Sequence, residues 1–235
     1  MGKYTAIDDP SAYFQTALYT GNAGFNTITN DGNSDLAPDF IWGKCRSTTK
    51  THFLYDTTRG AEKRLESDNT GVEDTGTNGI LNFYTDGFRT ASGNTENDNG
   101  ESYVAWQWKC NGGTTSSNTD GDITSTVQVN QDAGFSIMTY TGNATSGATI
   151  GHGLTSAPEV VMTKKRGASG GWMVFHIGNT TAPETEELNL ESPSENLRNE
   201  GIYKDTKSDE INSETKDDQI NVNNGENLVP KPPAS

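Results

Sequence analysis

The chain repeats itself, and this constrains its fold more than any other feature. Phe14-Gln15-Thr16-Ala17-Leu18-Tyr19-Thr20-Gly21-Asn22 lies over Phe135-Ser136-Ile137-Met138-Thr139-Tyr140-Thr141-Gly142-Asn143. Further on, Ala37-Pro38-Asp39-Phe40-Ile41-Trp42-Gly43-Lys44-Cys45-Arg46 lies over Ala157-Pro158-Glu159-Val160-Val161-Met162-Thr163-Lys164-Lys165-Arg166. His52-Phe53-Leu54-Tyr55-Asp56 then lies over Trp172-Met173-Val174-Phe175-His176. A nearly constant offset of about 120 residues across three blocks marks a duplicated structural unit.

Each block is a short apolar or alternating run bounded by Gly, Asn or Asp, which reads as a strand between turns. Ile80 to Tyr84 and Glu101 to Lys109 read the same way. In the latter, Tyr103, Ala105 and Gln107 alternate with Val104, Trp106 and Trp108, and the bulk of Trp106 and Trp108 predicts that their face is the core. Asp86-Gly87 and Asn99-Gly100 supply the positive-φ positions of tight reversals. The one helix candidate is Arg59 to Ser67. With 30% hydrophobic residues in short islands and 26 Gly between them, the expected class is all-β with thin sandwich cores. The plan is an N-terminal segment at 1–10, a first β-sandwich repeat at 11–112, a linker or strand at 113–133, a partial second repeat at 134–190 and an acidic extended tail at 191–235.

The formal net charge of −15 repels nucleic acid phosphates and anionic lipid, and no Lys/Arg-rich stripe offers a local exception. No apolar run reaches the roughly 18 residues of a membrane span, so membrane insertion is not expected. Met1-Gly2-Lys3-Tyr4 lacks a signal-peptide apolar region, which predicts synthesis in a cytoplasm. Cys45 and Cys110 then read as reduced, buried thiols.

Taken together, several pieces resemble a lectin-like repeat found in tail-fibre and other virion proteins of marine, especially cyanobacterial, phages. They are Asp9-Pro10 with Tyr13-Phe14-Gln15-Thr16, the Tyr-Thr-Gly-Asn turn in both units, Ala37 to Lys44, Leu54 to Gly60, Tyr84 to Phe88 and Ser102 to Lys109. The resemblance covers roughly residues 8 to 190. It implies a concanavalin-like jelly-roll β-sandwich in tandem, location on a virion, and no catalytic residues to carry over. A tail-fibre or host-adhesion module and a capsid or tail decoration protein are both compatible with it. The implied partners are other virion proteins, further copies of the chain and a host-surface glycan. A free carbohydrate-binding protein is the alternative, with a glycan depolymerase behind it on fold analogy alone.

The second unit has no counterpart of Asn82 to Phe88 or of Ser102 to Lys109, so its sandwich is expected to lack closing strands. From Pro183 onward the chain is strongly acidic, with Tyr203 its only aromatic residue, and composition predicts that this segment is disordered by itself. Its sparse anchors Leu188, Leu190, Ile202, Tyr203, Ile211, Ile220 and Val222 are expected to dock by strand addition on a neighbouring subunit or another virion protein.

No G-x-S-x-G elbow and no H-E-x-x-H pair occurs, and His52, His152 and His176 are isolated from nucleophile motifs. No cofactor is expected. Asp31, Asn33 and Asp35, and likewise Asp120 and Asp122, alternate oxygen ligands as calcium prefers, although Asx turns explain both segments equally well. Trp42 and Trp172 are the candidates for stacking on a sugar ring.

Overall fold

A computed structural model describes residues 7–76, 79–93, 95–179, 186–191, 197–198 and 210–212. The chain is all-β, and every named strand pair is antiparallel. The helical element among the described residues is the short 3-10 turn Pro10–Ala12, capped by Asp9, whose side chain accepts from the Ser11 N–H. The Arg59 to Ser67 stretch is not helical. Gly60 takes φ +98, and Leu65 exchanges both backbone hydrogen bonds with Leu54, which draws the segment out as an edge bridge.

The first unit contains β1 (Phe14–Thr20), β2 (Asn26–Ile28), β3 (Phe40–Cys45), β4 (Phe53–Asp56), β5 (Ile80–Tyr84), β6 (Gly87–Thr90) and β7 (Ser102–Trp108). One sheet runs in the order β1-β7-β3-β4 and the other β2-β6-β5. Between them lies a core of Ala17, Ile41, Cys45, Phe53, Tyr55, Tyr103 and Ala105 from the first sheet against Ile28, Ile80 and Phe88 from the second. Close packing needs glycine at two points. A Cβ on Gly43 would stand 2.0 Å from the Phe53 ring, and Gly87, at φ +100, turns the β5–β6 hairpin against the Ile28 carbonyl.

The tryptophans of β7 do not fill this core. Tyr103, Ala105 and Gln107 point inward, and Trp106 and Trp108 are half-buried on the opposite face. Gln107 is tolerated inside because Asn30 answers its amide, with Nε2 donating to Asn30 Oδ1 at 2.6 Å.

The second unit copies the first in backbone detail. Its strands are β8 (Ser116–Asn118), β9 (Ser125–Asn130), β10 (Phe135–Tyr140), β11 (Thr149–Gly151), β12 (Val160–Lys164) and β13 (Trp172–His176). The β12–β13 pairing, Val160↔His176 through Thr163↔Met173, reproduces Phe40↔Asp56 through Gly43↔Phe53 residue for residue. Ala23 and Ala144 hold the same left-handed backbone, φ 56 and φ 57, each just after an Asn whose side chain caps the turn. Met138, Val161, Met173 and Phe175 cluster where Ala17, Ile41, Phe53 and Tyr55 stand in the first unit, and all four are only half-buried.

The stretch 113–133, expected as a linker or strand, contains β8 and β9, and β9 pairs with both β8 and β10 in the order β10-β9-β8. Short further strands are β14 (Glu186–Glu187), β15 (Leu197–Arg198) and β16 (Glu210–Asn212). β14 pairs with β15, and β16 pairs with β11, aligning Ile211 with Ile150.

Candidate functional site

The outer face of the β1-β7-β3-β4 sheet carries a cluster of aromatic rings. Trp108 contacts Phe14, with ring centroids 4.9 Å apart, and Phe40 at 5.4 Å, and it stacks on Phe135 of the second unit at 6.3 Å. Trp42 is half-buried on the same face and donates from Nε1 to His52 Nδ1 at 2.9 Å. That bond requires a neutral imidazole, and burial holds the His52 pKa below its ordinary value.

Trp172 is not a sugar platform. It is 4% exposed, packed with Leu54, Leu65, Phe40, Trp42 and Leu190, and its Nε1 donates to the Glu66 carbonyl at 2.8 Å. The ring that the repeat places opposite His52 thus fastens the second unit onto the first.

Charge fastens the same junction. Arg59, buried, bonds Asp56 through both its main-chain N–H and Nε, and donates from Nη1 to Glu73 at 3.0 Å. Glu73 also accepts a forked pair of bonds from Arg166 Nε and Nη2, each 2.8 Å. Burial opposes ionisation of Glu73, but the hydrogen bonds from Arg166 and Arg59 outweigh it and hold the carboxyl below its usual range. At the exit from the first unit, Asp39 is buried and fully engaged. It accepts from Thr57 Oγ1 at 2.7 Å and from the N–H groups of Cys110, Gly112 and Gly113 at 2.7 to 2.9 Å. Gln128 of β9 completes the junction, accepting from Asn111 and Gly113 and donating to Thr57 and Thr58.

A third polar cluster lines an open cavity of about 250 Å³ bordered by Tyr55, Arg64, Asp74, Gly79 and Thr95. Behind it Glu96, fully buried, accepts from Tyr55 Oη at 3.2 Å and Arg64 Nη1 at 3.1 Å. Burial and the neighbouring Glu96 carboxylate push the Tyr55 hydroxyl far above its ordinary pKa, so it serves as a hydrogen-bond donor. Both cysteines are free and buried. Burial and the nearby Asp39 charge raise the Cys110 thiol to about 12.

The calcium candidates do not converge. Asp120 and Asn118 form an Asx turn, and Asp122 accepts from the Thr149 N–H and Oγ1 at 3.0 Å. No group of three His, Cys, Asp or Glu that could hold a metal occurs among the described residues, and Asp31, Asn33 and Asp35 lie on a loop, all three exposed. Of the tail anchors, Leu188 exchanges two backbone bonds with Val174, as Leu65 does with Leu54, and Leu190 packs on Trp172. Ile211 lies in β16, and Ile202, Tyr203, Ile220 and Val222 lie outside the described residues. Sequence reasoning missed the Arg59–Glu73–Arg166 joint and the Asp39 grip. Arg166 aligns with Arg46 in the repeat, but neither spacing nor composition pairs it with Glu73.

A family model described as a domain of unknown function, DUF7483, matches residues 9–230. The chain belongs to the DUF7483 family. The matched span takes in both units and most of the tail, so the DUF7483 domain is the tandem rather than one sandwich. No curated protein and no solved structure matches the chain.

Proposed function

We infer that this DUF7483 chain is a non-enzymatic structural or adhesive component of a bacteriophage particle, built on a lectin-like, concanavalin-type jelly roll. The observation that carries the reading is where the buried charges go. Asp39 grips the exit from the first unit, Glu73 binds Arg166 of the second, and Asp56 fixes the Arg59 that supports Glu73, whereas Glu96 behind the open cavity is bound to Tyr55 and Arg64. That is the expected pattern for a part that must hold its shape, and the repeat blocks that resemble phage fibre proteins point to the same setting. A tail-fibre or host-adhesion module and a particle decoration protein both fit. Mass spectrometry of purified virions, with the copy number per particle, tests it. A few copies favour a fibre and hundreds a shell decoration, and a protein missing from particles made in its presence overturns the reading.

Carbohydrate binding is the second reading, favoured by the half-buried Trp42 and Trp106 on the outer face. Quenching of tryptophan fluorescence by host envelope glycans, abolished by Trp106→Ala, would support it.

A further inference from the structure

β1 is an edge strand, and its hydrogen-bonding parity can be read from its ends. Lys109 N–H donates to the Tyr13 carbonyl and Gly21 N–H to the Glu101 carbonyl, so Gln15, Ala17 and Tyr19 face β7. The main-chain groups of Phe14, Thr16, Leu18 and Thr20 therefore face away from the sheet. Asn26 Nδ2 occupies the Thr20 carbonyl, which leaves Phe14, Thr16 and Leu18 without a partner along that edge among the described residues.

Sheet edges are normally defended by shortness, bulges, charge, proline or a covering segment. The other three edges of the first unit have such defences. β4 is bridged by Leu65, β5 carries a register shift between Ile80 and Asn82, and β2 is three residues long. β1 runs seven residues without a bulge, a charge or a proline. It also displays Leu18 at 64% exposure and Phe14 at 40%.

Charge decides the occupant. The chain carries −15, so most of its surface repels a second copy, yet residues 10 to 30 contain no Asp, Glu, Lys or Arg. A basic partner would find nothing on this strand to pair with, and an identical strand brings no charge of its own against it. The strand is also self-complementary about Thr16. Set antiparallel on a twofold axis, Thr16 faces Thr16, and the exposed Phe14 of each copy covers the exposed Leu18 of the other. This register uses only the unoccupied groups and forms about six main-chain hydrogen bonds.

We propose that β1 is a homodimerisation edge, through which two copies join their four-stranded sheets into one continuous sheet with Thr16 on the twofold axis. With three residues of each copy paired, the contact is expected to fall below the roughly 1,200 to 2,000 Å² of stable interfaces, so the isolated dimer should be weak and gain strength where copies are held close together.

The test uses the full chain. Sedimentation equilibrium over a concentration series should show monomer and dimer exchanging in the micromolar range, and Leu18→Lys should weaken association about tenfold or more with an unchanged circular dichroism spectrum. Hydrogen exchange on the unaltered protein reads the register. Amides of Phe14, Thr16 and Leu18 should gain protection as concentration rises, whereas those of Gln15, Ala17 and Tyr19 stay protected throughout. A monomer at all concentrations, a dimer unaffected by Leu18→Lys, or protection of the even-numbered amides that ignores concentration overturns the proposal. The last outcome would mean that another part of the same chain covers the edge. The purified chain is measured without particles, so failure here leaves the virion reading standing.

Discussion

Glu73→Gln isolates the charge that joins the two units. The carboxylate takes one hydrogen bond from Arg59 and two from Arg166, with its own side chain 9% exposed and that of Arg59 4%. Glutamine keeps one acceptor oxygen and turns an NH₂ group toward guanidinium groups that are entirely donors. A hydrogen bond to a charged group contributes about 1.5 to 3 kcal/mol, and breaking a buried pair costs about 3 to 5 kcal/mol. Arg166 is 39% exposed and can recover water, which removes the upper part of that range. The expected loss is about 2 to 3 kcal/mol. Urea unfolding followed by tryptophan fluorescence measures it for Glu73→Gln, Arg166→Met and the double variant. If Glu73 truly clamps the units, the two losses are not additive, and the coupling is about 1 kcal/mol or more. Additive losses would show that Arg166 does not hold Glu73 in solution, and the junction would then rest on Trp172 and Asp39.

Three further outcomes follow from the packing. Trp106→Ala should cost about 1 to 2 kcal/mol, against about 3 to 5 kcal/mol for Phe88→Ala, because Trp106 is half-buried on the outer face and Phe88 is sealed in the core; thermal melts of both variants check the ranking. A fragment of residues 11–112 should give a β-type circular dichroism spectrum and a cooperative melt, since every residue of the main core lies within it. On acidification stability should fall in two steps. His52 has a folded-state pKa below its unfolded value, so its contribution is present above about 6.5 and is lost as pH falls through the depressed folded value. The lowered carboxyl of Glu73 acts likewise below about 4.5, and His52→Gln should remove the first step from the pH profile of the melting temperature.

The duplicated backbone was readable from the letters because each strand pair carries its own bounding turns. Offsets between blocks became offsets between registers, down to the left-handed Ala23 and Ala144. The side of β7 that faces inward was not readable. Period-two alternation separates Tyr103, Ala105 and Gln107 from Trp106 and Trp108 but does not say which set is inside, and bulk favoured the tryptophans. The answer depends on two remote facts, that Asn30 satisfies Gln107 and that the second unit half-covers the outer face through Phe135. Trp172 misled for the same reason, because an aromatic ring reads as a ligand platform until the surface it seals is known. The Arg59–Glu73–Arg166 joint links residues on separate loops, and ion pairs of that kind leave no local periodicity to find.

Asp39 leaves the passage between the units without a swivel. Its carboxylate grips the chain at Cys110, Gly112 and Gly113, immediately beside the start of β3. A pull on the second unit enters the sandwich along the chain at β7, an interior strand flanked by β1 and β3, and Asp39 ties the same point to β3. The load falls on two ladders of main-chain hydrogen bonds together, in shear, instead of peeling an edge strand one bond at a time. Joined in this way the tandem transmits tension as a stiff link and not as beads on a tether.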